Sequence, residues 1–172
     1  MNQIACRTLL LSCLMMFFSL EVCAQEKPMT MDQSVALISS TRTKIEQRVK
    51  KIKLKFAPDA TQYKQAEDLY ENVESQAQGF SDAITLAVRQ GRKPEGLDST
   101  AESFTREAKI FVDFCNEALN MPKSGAGLPV VAIMGFAKSF WSMFKSAKQE
   151  KRDAKAAQIA TMLKFKDWDS IK

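Results

Sequence analysis

Glu67, Glu71 and Glu74 recur at spacings of four and three, which gathers three carboxylates on one face of a helix. Such a face could hold a hard cation. Oxygen-rich calcium or magnesium sites, however, draw their ligands from loops or from several elements, so a neighbouring basic helix is the simpler partner. Cys115 could act as a redox thiol, but it falls between Phe111 and Ala118 on an apolar helical stripe. A thiol buried there behaves as a small apolar side chain. The run KKIKLKF, residues 50 to 56, alternates lysine with apolar residues and could meet phosphate headgroups; a solvated helical face is the plainer reading.

The composition removes whole classes of chemistry. The 172-residue chain contains no histidine, which excludes Ser-His-Asp and Cys-His catalysis and every histidine-ligated zinc or iron site. Two glycine-bearing segments, GRKPEGLD (91–98) and KSGAGLP (123–129), fit no phosphate-loop pattern: neither carries the Gly-Lys-Ser/Thr ending, and no strand precedes either. These residues point to no enzyme, no cofactor and no metal.

The first 24 residues read as a secretory signal. Arg7 precedes an apolar core from Leu9 to Leu20, and Val22-Cys23-Ala24 offers a cleavage site after Ala24. Attachment of lipid at Cys23 is the competing reading, disfavoured because Leu20-Glu21-Val22 lacks the small residues such a site wants. The expectation is thus a periplasmic or secreted protein, with residues 25–172 forming one domain large enough for its own core. Cys6, Cys13 and Cys23 leave with the signal, so Cys115 stays alone and the fold must stand on packing. The net charge of +5 is modest for a nucleic-acid binder, and export argues further against nucleic acid.

What must position these residues is a set of helices. Thr30 with Gln33 forms a capping-box pattern, after which Met31, Val35, Ile38, Ile45, Val49, Ile52 and Phe56 make a heptad seam, with Arg42 in its one polar slot. Ala57-Pro58 ends that helix, and Asp59 or Thr61 can cap the next. The second seam is Tyr63, Ala66, Tyr70, Val73, Ala77, Phe80, Ile84 and Ala87, closed by Gly91. Ser99 with Glu102 reads as a capping box for a third helix, whose seam is Ala101, Phe104, Ala108, Phe111, Cys115 and Ala118. A long fourth helix is expected from Val130 to about Phe165. No segment alternates as a strand does. The fold expected is all-α: an antiparallel up-down four-helix bundle of coiled-coil type. In that register Glu67 lies near Arg48 and Glu71 near Lys44.

The fourth helix carries the functional signal. Over residues 130–147, Val130, Ile133, Met134, Phe136, Ala137, Phe140, Trp141, Met143, Phe144 and Ala147 share one side, while lysines and small residues take the other. An apolar arc of ~180° exceeds the ~100° stripe that one core covers. Its edges call for the bundle itself, another protein chain (a second copy among the candidates) or an anionic membrane surface. Two lysines on one face rule out a spanning helix. Beyond Ala147 the sequence reads as a solvated arm that ends in the cluster Ile159, Met162, Leu163, Phe165 and Trp168. The partner-binding residues expected are Phe136, Phe140, Trp141 and Phe144, with Trp168 as a second anchor.

Overall fold

The computed structural model describes residues 31–93, 95–121 and 148–172. All regular structure among them is helical: α1 (Met31–Lys55), α2 (Thr61–Gln90), α3 (Leu97–Ala118), α4 (Gln149–Leu163) and a 3-10 turn at Trp168–Ser170. The signal, the Gly125–Gly127 hinge and the apolar stretch 130–147 lie outside the described residues.

The three seams read from spacing form the core. Ile38, Ile45, Val49 and Ile52 of α1, Ala66 to Ala87 at their seam positions in α2, and Ala101, Phe104, Ala108, Phe111 and Cys115 of α3 are all buried. The seams of α2 and α3 mix alanines with large side chains, whereas that of α1 is lined by valine and isoleucine. The α2–α3 pair shares the most extensive contact. Phe80 stacks on Phe104 at 6.2 Å and Tyr70 meets Phe111 at 5.8 Å, so the two helices run in opposite senses.

The helix ends show which local signals governed. Gly91 closes α2 in the left-handed conformation at φ 63°, donating its N–H to the Val88 carbonyl, as its lack of a Cβ allows. Asn120 takes the same region at φ 52° after α3. The Met121 N–H then reaches the Asn116 carbonyl and the Asn120 N–H the Glu117 carbonyl, the two bonds of a Schellman motif. The N-terminal caps differ from expectation. No side chain caps α2 or α3; α3 begins at Leu97 behind Gly96, and the Ser99 hydroxyl donates to the Gly96 carbonyl instead of capping.

The fourth helix departs furthest. Lys148 is extended, α4 starts at Gln149 and stops at Leu163, and Lys164 is extended again, so the expected continuous helix to Phe165 does not form. It does not project freely either: Ala156 of the expected arm is buried and α4 packs against α2 and α1, although most of residues 148–158 are exposed and Ile159 and Leu163 are buried as their apolar cluster predicts. Its direction is set by its contacts. Arg42 donates to the Thr161 carbonyl and Lys53 to the carbonyls of Trp168 and Ile171, so α4 and the tail run in the sense of α1. Beside α2 the order reverses, with Tyr70 against Phe165 and Val88 near Ala156.

The register between α1 and α2 is corrected too. α1 contacts α4 and α3 more extensively than α2, although residues 56–60 alone join it to α2. Arg48 therefore bonds Asn116 and the Lys44 carbonyl rather than Glu67. The pairs Arg42–Glu46, Lys93–Asp98, Arg106–Glu107 and Lys109–Asp113 are each local in sequence. The polar slot is shifted by one: Thr41 is fully buried, while Arg42 lies at the flank of the seam, its side chain 25% exposed.

Thr41 Oγ1 is buried without a hydrogen-bond partner, whereas the equally buried Thr105 donates to the Ala101 carbonyl at 2.6 Å. Removing an orphan hydroxyl at constant shape recovers its desolvation cost, about 1 kcal/mol. Thr41→Val is expected to raise Tm by about 2–4 °C and Thr105→Val to lower or leave it, compared by thermal denaturation.

Candidate functional site

Of the anchors expected from sequence, Phe136, Phe140, Trp141 and Phe144 lie outside the described residues. Trp168 is described, and its indole is 5% exposed. It stands edge-on to Tyr63 at 5.4 Å and tilted against Tyr70 at 5.6 Å. Its Nε1–H donates to the Tyr63 hydroxyl at 3.0 Å, and the Lys53 ammonium lies 5.2 Å from the ring centroid. The indole area that would serve a partner is thus occupied by the chain's own packing.

The tail around Trp168 forms a clasp. Phe165, Trp168 and Ile171 are each buried; the 3-10 turn at Trp168–Ser170 brings Trp168 and Ile171 to one side, while Phe165 enters from the non-helical run before it. Polar groups fix the backbone between them: Tyr70 Oη donates to the Lys166 carbonyl at 2.6 Å, and Lys53 serves the two carbonyls named above. The sequence marked Phe165 and Trp168 as members of one apolar cluster, without Ile171. Its spacing held no sign of Tyr63, Tyr70 and Lys53 as their partners, because those contacts span about a hundred residues of chain.

The remaining candidates settle into packing roles. Cys115 is buried with a free thiol, and burial pushes that thiol up to about 12, against a smaller lowering by Arg48. Glu74 is raised, first by burial and then by Asp167 and Glu71; the acidic face meets the tail rather than a row of lysines. A raised carboxyl favours the protonated form, so this destabilising contribution is present at neutral pH and fades as pH falls through the folded value. No cluster of metal-ligand residues occurs among the described residues. The loop before α3 is braced by a Lys93–Asp98 ion pair and lines only an open depression. No helix among the described residues is long and apolar enough to cross a membrane.

No family model matches this chain, and no curated protein or solved structure shows significant similarity to it.

Two measurements probe the clasp and the thiol. Tyr63→Phe, which removes only the acceptor for Trp168, is expected to cost about 1 kcal/mol, and Trp168→Ala about 3–5 kcal/mol, both read from urea denaturation. In a chain beginning at Gln25, whose one cysteine is Cys115, Ellman's reagent at pH 8 is expected to leave the native thiol unlabelled and to react fully once urea unfolds the protein.

Proposed function

We propose that this is an exported, non-enzymatic helical-bundle protein that acts by binding another protein through the apolar face of residues 130–147. Phe136, Phe140, Trp141 and Phe144 are the contact residues. Roles of this kind include an inhibitor, an immunity protein or an adaptor.

The observation that carries the reading is the width of the apolar face in the sequence of residues 130–147. At helical spacing it covers an arc of ~180°, wider than the ~100° stripe that one core covers, and the aromatics left over are what a partner would take. Among the described residues, the large hydrophobics that stand in solvent are separate aliphatic ones, Leu54, Leu86 and Ile110, which offer no aromatic anchor.

Crosslinking in the native cell envelope, followed by mass spectrometry, tests this. The wild-type chain is expected to give a discrete adduct with a second protein, lost in Phe140→Asp and Trp141→Asp variants that keep native helicity by circular dichroism. An adduct that survives both substitutions removes the aromatic face from the interface. Adducts with lipid alone replace protein binding by a membrane-surface role for the same segment.

A further inference from the structure

We infer that the α1–α2 turn is a docking tip for an anionic bilayer surface, separate from the aromatic face of residues 130–147. Leu54 is 87% exposed, against 45% for Leu86 and 43% for Ile110. Its position is enforced: Ile52 is fully buried, and two residues further along a helix the side chain points about 200° away from the core. Ala57 and Pro58 follow it on the exposed turn, with Phe56 half-buried beneath them. The tip is therefore apolar and convex.

Around it stands a collar of cations. Residues 50 to 59 hold four lysines and one acid, Asp59. Lys50 and Lys51 lie one helical turn behind Leu54 on the same exposed face of α1. Lys55 bonds the last carbonyl of α3, Ala118, and lies 5.2 Å from the Phe56 ring centroid, while Lys53 holds the tail. Backbone carbonyls thus fix two of the ammonium groups, and none of the four lysines is in an ion pair among the described residues. Glu117 and Asp169 adjoin the carbonyls that Lys55 and Lys53 bond, but no carboxylate among the described residues lies within ion-pair distance of these ammonium groups, and they are open to an external anion.

An apolar protrusion inside a lysine collar matches the layering of a bilayer surface, with leucine at the acyl boundary and ammonium groups at the phosphates. A protein partner fits less well. A stable interface buries about 800 Å² on each side, far more than one helical turn offers, whereas a bilayer demands no matching shape.

Flotation of the mature chain with vesicles tests the assignment. Binding is expected to vesicles of phosphatidylglycerol mixed with phosphatidylcholine, to weaken as salt rises, and to be absent with phosphatidylcholine alone. Lys50→Gln/Lys51→Gln is expected to lower the partition constant about 25-fold, roughly five-fold per lysine, and Leu54→Glu about ten-fold or more. Ser40→Glu, on the same exposed face but about four turns away, controls for net charge and should change it least. Ser40, Lys50, Lys51 and Leu54 are all exposed, so unchanged circular dichroism and Tm verify folding. Trp141→Asp separates the two surfaces: if it abolishes flotation while Leu54→Glu does not, the lipid contact belongs to residues 130–147 and the tip is not a docking site. Failure of the wild type to float also overturns the proposal and leaves an acidic protein surface as the collar's partner. Neither result bears on the crosslinked protein adduct, which is lost or kept with the aromatic face.

Discussion

Tyr70 is the side chain on which the described parts of the chain converge. Its ring meets Phe111 of α3, Phe165 after α4 and Trp168 of the tail, while its hydroxyl bonds the Lys166 carbonyl. A buried phenol satisfies its apolar ring anywhere in a core, but its hydroxyl needs a specific partner, and leaving it unmade costs about 1–3 kcal/mol. A continuing helix would commit the carbonyl of residue 166 to its own ladder. The extended run from Lys164 to Asp167 frees it instead. Burial, with Glu46 and Glu74 next in importance, holds the hydroxyl far above the ordinary phenol range, so it remains a donor. The end of α4, the 3-10 turn and the seating of Trp168 all follow from this one bond and the ring contacts around it.

The helices that surround Tyr70 are close because the seams of α2 and α3 mix alanines with large side chains. Ala66, Ala77 and Ala87 of α2, with Ala101 and Ala108 of α3, are fully buried, and an alanine removes no more room than the backbone already takes. The phenylalanines between them then interdigitate at ordinary van der Waals separation. α1 contributes aliphatic residues and meets the others less extensively, and it holds the buried Thr41. That hydroxyl is the clearest local conflict in an otherwise consistent core.

Periodicity exposed most of this to a reading of the sequence, since burial at every third and fourth residue is a local property. Val73, Phe80 and Ile84 fall inside for the reason that their spacing gives. Two things were not local. A strict heptad placed Arg42 in the α1 seam, but a helix of 3.6 residues per turn drifts from that frame, and Thr41 takes the inner position. Helical spacing over residues 130–147 and strong helix formers beyond Ala147 predict one continuous fourth helix. Lys148 is extended, and the stop at Leu163 goes with the tail's long-range polar partners, Tyr70 and Lys53, which no short window contains. Trp168 illustrates the same limit: a large aromatic near a chain's end looks like an anchor for others until Tyr63 and Lys53 are found around it.

The distribution of charge follows from the same arrangement. A basic α1 and an acidic face on α2 suggest mutual neutralisation, and two helices joined by a short turn are the natural place for it. Contact preferences put α1 against α4 and α3 instead, so the two charged surfaces do not annul each other. Glu74 feels Asp167 and Glu71 more than any lysine, and the lysines of the last turns of α1 spend their hydrogen bonds on carbonyls at the ends of α3 and of the tail. Cations at the C-terminal ends of helices are favourable there, but a carbonyl neutralises no whole charge. The lysines thus brace the end of the fold and keep their field. Lys53 and Lys55 are held by backbone dipoles and not by carboxylates as a direct consequence of how the helices chose their neighbours.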